Sequence, residues 1–368
     1  MKLYHIQDKY LGFSHRRKIR QKTPEGVLLI SSGGIGDTVL FSFVVESFSN
    51  LAKKNEPVTF LCNQGSEKVS FLLPKNITIL NVDFQRLRRD LTYRKSIMNN
   101  LFEANFRLVI HTDHVRHPDM DEALAKACQA REAIAMKPRY WSKYSRKLEA
   151  NLKIYDRLFD SGVTKKDKIR RWLDFAAWLN NEEIEPRILK LPEERLPSPT
   201  REPTPLVVIH PYSAVREKQF PPSLYQAIIK CIPDNYNIAI SGTASDRNHN
   251  SEFEILGAIP NVRFEAANFY NLARRLRAAN LVISVDTACM HLAVAVGAPT
   301  LCLASAAYVG EIVPYDAALS PPNVQFVYKR MECEGCLGNC HLPTQNGMYP
   351  CVAQVFEKTI LDLVKDLL

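Results

Sequence analysis

The 368-residue chain has no apolar run long enough for a signal peptide near its start, and no uninterrupted stretch that would span a membrane. The opening "MKLYHIQDKYLGFSHRRKIRQK" is broken by charge throughout. The most apolar window, residues 281–304, is interrupted by Asp286, His291, Gly297 and Pro299, so it reads as buried core. A cytoplasmic protein is expected. A second absence concerns glycine. Gly34 and Gly36 supply G-x-G after a strand-like run, but the third glycine of a dinucleotide fingerprint would fall at Val39. Glu56 lies at about the distance of a ribose-binding acid, yet in a polar stretch ahead of its strand. A dinucleotide-binding oxidoreductase is disfavoured on both counts. No nucleic-acid fold signature or aromatic-basic motif accompanies the basic charge, so no nucleic-acid partner is expected.

What the chain does have is enough apolar sequence, 46%, for two cores of roughly 150 to 200 residues each. Charge divides unevenly between the halves. Residues 1–190 hold 34 Lys and Arg against 22 Asp and Glu, and the remainder holds 14 against 17. The runs "RLRRD", "KPRYWSKYSRK" and "KKDKIRR" could face anionic lipid or another acidic partner, or form a solvated surface. "GVLLISSGGIGDTVLF" at 26 and "PLVVIHPYSAVREKQFPP" at 205 begin alike, each a buried-strand run ending in a small or polar loop. Strands follow at "EPVTFLCN", "ITILNVD" and "FRLVIHTD", with helical sequence from Met120 to Met136. The second half repeats the alternation through "YNIAISGT", "NVRFEAAN", "YNLARRLRAAN", "LVISVD", "ACMHLAVAVG" and "APTLCLA". Two doubly wound α/β domains are expected, 1–190 and 206–352, with ligands beyond the carboxyl ends of the strands. The proline-rich stretch 191–205 is the expected linker, and 353–368 a C-terminal helix returning to the N-terminal domain.

Asp37 opens a helix after the glycine turn. It gains from the helix dipole there, and it is also placed to take a proton from a hydroxyl. In "SVDTACMHLAVAVGAPT", Asp286 and Thr287 begin a helix and His291 follows one turn later. Free N–H groups at that start suit a diphosphate, with Asp286 on ribose hydroxyls and His291 on a phosphate oxygen; an ordinary cap and a core histidine is the plainer reading. Ser213, Arg216 and Lys218 follow a strand, and cations there suit charge developing on a departing phosphate; a surface loop is the alternative. "FRLVIHTDHVRHPD" packs His111, Asp113, His114 and His117 behind another strand. A metal is a minor reading of that cluster, and Asp113 is a second candidate base or acceptor contact, ranked below Asp37.

Taken in order, "SGGIGDTVL", "HPYSAVREKQFP", "SGTASDR" and "NLARRLRAANLVISVDTACMHLAVAVGAPTLCL" resemble glycosyltransferase family 9, the ADP-heptose:lipopolysaccharide heptosyltransferases. The resemblance implies a GT-B fold of two Rossmann-like domains with parallel sheets facing a central cleft, the first taking the acceptor and the second the nucleotide sugar. It implies inverting, metal-independent transfer of heptose from ADP-heptose to an anionic lipopolysaccharide-core acceptor, at the inner face of the inner membrane through the basic half. A protein acceptor and another nucleotide sugar are alternatives on the same fold. Asp37 matches the family's base, and Lys218 the lysine before its aromatic-proline pair. Ser213, Arg216, Gly242, Asp246, Asp286, Thr287 and His291 fall on the donor side, and Gly34, Gly36 and His111 on the acceptor side. Two positions depart from the pattern: Ala288 stands where glycine is usual, and Phe220 where tryptophan is common.

Cys333, Cys336, Cys340 and Cys351 form C-x2-C-x3-C-x10-C. Four clustered thiols in a cytoplasmic protein suggest structural Zn²⁺ or iron ahead of free thiols, with disulfides last by compartment. A closed four-ligand site leaves no open position for catalysis. The other five cysteines, at 62, 128, 231, 289 and 302, lie in apolar or helical contexts and are expected in the core.

Overall fold

Short strands made almost wholly of Val, Leu and Ile cannot leave either face in water, and here each becomes the middle of a parallel sheet. All five residues of β1 (Val27–Ser31) and of β10 (Leu281–Val285) are buried. The computed structural model describes residues 3–183 and 185–368. The chain divides into two compact units, Met1–Thr164 with Arg171–Glu185, and Lys165–Arg170 with Pro186–Leu368.

In the first unit β1 is joined by β2 (Val58–Asn63), β3 (Ile77–Val82), β4 (Leu108–His111), β5 (Glu132–Met136) and β6 (Arg157–Phe159), in the order β3-β2-β1-β4-β5-β6. In the second, β7 (Leu206–His210), β8 (Asn237–Gly242), β9 (Val262–Ala266), β10, β11 (Thr300–Leu303) and β12 (Val324–Val327) run β12-β11-β10-β7-β8-β9. Every pair is parallel. Both sheets are wound alike: the first strand sits centrally, the next two lie to one side and the last three to the other. The winding reverses between β1 and β4, and again between β7 and β10. Crevices beyond the strand ends at such reversals are where ligands bind in open α/β sheets.

Three elements differ from the sequence expectation. The helical stretch from Met120 stops early: the helix is Asp121–Cys128, Gln129 turns to φ 42°, and "EAIAM" becomes β5 in register with β4. A run of only five residues, two of them alanine, carries no periodicity that separates helix from strand. The proline-rich stretch lies along the second unit. Leu191 is buried, and Arg274 and Arg277 of the helix Phe269–Arg277 donate to the carbonyls of Ser198 and Pro197. Proline removes a donor but keeps its acceptor, which is what Arg277 uses at Pro197. The last helix, Glu357–Leu367, buries Ile360 and Val364 in the second unit's own core beside the helix Pro222–Cys231, where a return to the N-terminal domain was expected.

A further helix, α1 (Leu3–Arg16), precedes β1. Its Tyr4 and Leu11 enter the first core, and Asp8 receives both arms of the fully buried Arg94, at 2.8 and 2.7 Å. Among the described residues, no helix is long and apolar enough to cross a membrane.

Candidate active site

In the first unit β1 runs into the loop Ser32–Gly34 and then α2 (Ile35–Ser42). The half-buried Asp37 sits at the third position of α2, where its Oδ2 accepts the Gly34 N–H at 2.8 Å. A carboxylate there ties off a free N–H and meets the positive end of the helix. Gly33 is required by the same carboxylate: a Cβ on it would lie 2.5 Å from both Cβ and Oδ2 of Asp37. Gly34 is exposed and Gly36 half-buried in the same turn.

The loop is held from behind by β4. Asp113 accepts the Ser32 N–H at 2.7 Å and the Ser31 hydroxyl at 3.2 Å, and its Oδ2 is 3.3 Å from Ser32 Oγ. It is only 4% exposed. Asp113 therefore anchors the loop. Ser32 Oγ also lies 2.7 Å from Asp121 Oδ2, whose other oxygen accepts the N–H groups of His117 and Glu122. Burial pushes the Asp121 carboxyl up to about 7, against the Ser32 hydrogen bond and with the Asp113 charge adding to it. His111 ends β4 with its side chain wholly inside, so it does not front an acceptor loop. Burial, and then Arg116, keep its imidazole neutral. His114 turns to the Lys137 carbonyl and His117 to the Tyr144 hydroxyl, so this histidine-rich stretch converges on no common point. Glu56 is spent on Arg107, at 2.6 Å, and on the Gly26 N–H; the Arg107 hydrogen bond holds its carboxyl down at about 2. It is a structural ion pair and no ribose ligand.

In the second unit the reversal between β7 and β10 brings distant residues together. The loop after β7 delivers Lys218, whose Nζ donates to Oδ2 and to the carbonyl of Asp286, both at 2.8 Å. Lys218 is 8% and Asp286 5% exposed, and the ammonium also lies 4.5 Å over the Tyr308 ring. His291, one turn into the helix Ala288–Ala295, sets Nε2 4.0 Å from Asp286 Oδ1 and Nδ1 2.7 Å from the Tyr315 hydroxyl. Burial raises the Tyr315 pKa well above its ordinary range, so the phenol stays neutral. The Thr287 hydroxyl turns back to the Val285 carbonyl at 3.3 Å and does not cap the helix, leaving the first-turn N–H groups to other partners. Ser213 Oγ accepts the Val215 N–H at 3.2 Å, and the Ser213 carbonyl receives the Gln219 amide.

Three residues expected on the donor side have partners within the protein. Arg216 is committed to Glu252 at 2.5 Å and to Asn250 at 3.1 Å. Asp246 accepts from the N–H and hydroxyl of Thr243 as the cap of the helix Ala244–His249. Gly242 makes room for protein: a Cβ there would strike the Tyr212 ring at 2.7 Å. Conversely, Tyr308, Tyr315, Ser32 and Asp121 carried no signal in the sequence, since each contacts its partner only through the folded sheet.

Cys333, Cys336, Cys340 and Cys351 all line one small cavity with Met331, and burial pushes the Cys351 thiol up. No three His, Cys, Asp or Glu among the described residues are grouped closely enough to hold a metal ion. Elsewhere Cys62, Cys128, Cys289 and Cys302 are buried and Cys231 is half-buried; burial pushes the thiols of Cys62, Cys128 and Cys289 up to about 12.

A profile of glycosyltransferase family 9 (heptosyltransferase) matches residues 134–327, more than half of the chain. No curated protein sequence matches. Among solved structures, the E. coli heptosyltransferase WaaC with ADP-2-deoxy-2-fluoro heptose is similar at a TM-score of 0.66 and 15% identity, over 93% of this chain and 99% of that one. E. coli ADP-heptose lipopolysaccharide heptosyltransferase II is similar at 0.63 and 12%, over 93% and 98%. TibC, an iron-containing dodecameric glycosyltransferase of enterotoxigenic E. coli, is similar at 0.55 and 12%, over 95% and 77%. The twin sheets and their winding give the chain the GT-B architecture of these proteins, and the profile match makes it a member of glycosyltransferase family 9, the heptosyltransferase family.

Proposed function

We propose that the chain moves heptose from ADP-heptose onto a hydroxyl of an inner-core lipopolysaccharide acceptor, with inversion and without a catalytic metal. The observation that carries this reading is the buried Lys218–Asp286–His291 cluster at the β7/β10 reversal, beside the first turn of the helix Ala288–Ala295. A lysine, a histidine and a helix start together suit a diphosphate, with Asp286 holding Lys218 and the Tyr315 hydroxyl holding His291. WaaC has been solved with an ADP-heptose analogue and TibC with ADP-D-β-D-heptose, which supports the choice of nucleotide. In the first unit Asp37 takes the proton of the acceptor hydroxyl. That oxygen bonds to the anomeric carbon, the bond from that carbon to the phosphate oxygen breaks, and ADP departs with the electron pair.

Calorimetry with ADP and with NAD tests the donor half. ADP binding by the parent, weakened at least about tenfold in Lys218→Met, is expected; NAD binding with no ADP binding overturns the reading. A metal at the four cysteines is a separate proposal, supported only by their common cavity. Stoichiometric zinc or iron in the purified protein, lost in Cys336→Ser, would establish it, and a metal-free active protein would dismiss it.

A further inference from the structure

Helix α1 carries apolar residues on two opposite faces, and only one of them is used by the fold. Tyr4, Leu11 and His15 turn inward and are buried. Leu3, Ile6, Tyr10 and Phe13, spaced three, four and three apart, form a second stripe that is 71%, 52%, 68% and 46% exposed. Spending four large apolar side chains on water is unusual for a helix already packed on its other side.

The chemistry around the stripe says what meets it. From Lys9 to Lys22 the chain has six Lys and Arg and no Asp or Glu. Lys9, Arg16, Arg17, Lys18 and Lys22 are exposed, and the Arg17 guanidinium stacks 3.8 Å over the Phe13 ring, so charge and apolar surface meet edge to edge. The segment is pinned. Arg20 donates to the carbonyls of Cys128 and Gln129 at 3.0 and 2.7 Å, and Arg94 clamps Asp8. A cavity of about 580 Å³ opens beside α1, with walls from Leu11, Met98, Ala127 and Ile154 and with Lys9 and Arg16 lining it. The helix Ser145–Asn151 lines the same cavity through Lys147, Ala150 and Asn151, and the segment that leads into it exposes Tyr140 and Trp141 in a stretch that also carries Lys137, Arg139 and Lys143. Apolar side chains bordered by cations, with Tyr and Trp nearby, match the surface of an anionic bilayer, where rings and aliphatic chains enter the headgroup boundary and cations meet phosphate.

We infer that the outward face of α1 and its basic continuation form an interfacial anchor for an anionic phospholipid bilayer, whatever sugar the enzyme moves. Flotation of the full chain with vesicles of phosphatidylcholine and phosphatidylglycerol, free of lipopolysaccharide, tests it. The parent is expected to float with the mixed vesicles, weakly with phosphatidylcholine alone, and less at high salt. Ile6→Glu with Phe13→Glu should cut binding by about tenfold or more with circular dichroism unchanged, and Arg17→Glu with Lys18→Glu should remove the salt-sensitive part. A parent that stays with the soluble fraction, or a double-Glu variant that floats like the parent, overturns the inference. So does a double-Glu variant whose only change is a smaller mass by light scattering, which would put a second copy of the chain on this face.

Discussion

Asp37 works as a helix cap through Oδ2, and the same hydrogen bond to Gly34 fixes the direction of the carboxyl group. Gly33 is the tightest constraint on that direction, because any side chain there overlaps the carboxylate. Gly33→Ala is therefore expected to lower transfer by about a hundredfold, the scale of a misplaced general base, while ADP affinity by calorimetry is unchanged; full activity would mean that this carboxylate is not the base. Asp121 offers a test by pH. Its carboxyl is raised from 3.8 to about 7 in the folded protein, so the folded state holds the proton more firmly than the unfolded chain. The stability this group contributes is present in full below the unfolded value and is lost as pH rises toward about 7. Thermal melts across that window should show the parent losing stability relative to Asp121→Asn as pH increases, whereas parallel curves would contradict the assignment. Asp37 was legible because its glycines stand beside it in the chain. Asp121 was not, because its partners Ser32 and His111 reach it only across β1 and β4.

Most strands announced themselves by apolar runs, as β1, β7 and β10 do. Those that did not are β5, which is alanine-rich, β6, which has only three residues, and β12. Helix α1 was hidden for a different reason. With apolar residues on two faces and cations between them, it lacks the single stripe that marks an ordinary surface helix. Its attachment rests on the buried Arg94 and its two bonds to Asp8. Arg94→Met is expected to destabilise the first unit by about 3 kcal/mol in urea unfolding, the low end for breaking a buried pair since Asp8 is partly exposed, and to speed hydrogen exchange in Leu3–Arg16. An unchanged exchange rate there would show that Tyr4 and Leu11 hold the helix unaided.

Across the whole chain, two units repeat one winding order, and each places its charged side chains where the order reverses. That much followed from alternating strands and helices. Where the units part did not follow, because the proline-rich stretch 191–205 has the composition of a tether although it belongs to the second unit, which bonds the carbonyls of Pro197 and Ser198. The donor cluster was legible only in pieces: Lys218 and Asp286 are 68 residues apart, and Tyr315 stands 24 beyond His291. The resemblance named Lys218, Asp286 and His291, and the fold supplied Tyr315. The division of labour, nucleotide held by the second unit and proton taken by Asp37 of the first, is tested most directly by heptose transfer from ADP-heptose to truncated lipopolysaccharide, read by mass spectrometry for the parent and Asp37→Asn. The parent should add heptose, and the variant should fall by about a hundredfold or more while its ADP affinity stays within about twofold. Undiminished transfer by Asp37→Asn, or a parent that binds ADP yet transfers nothing from ADP-heptose, would contradict the account.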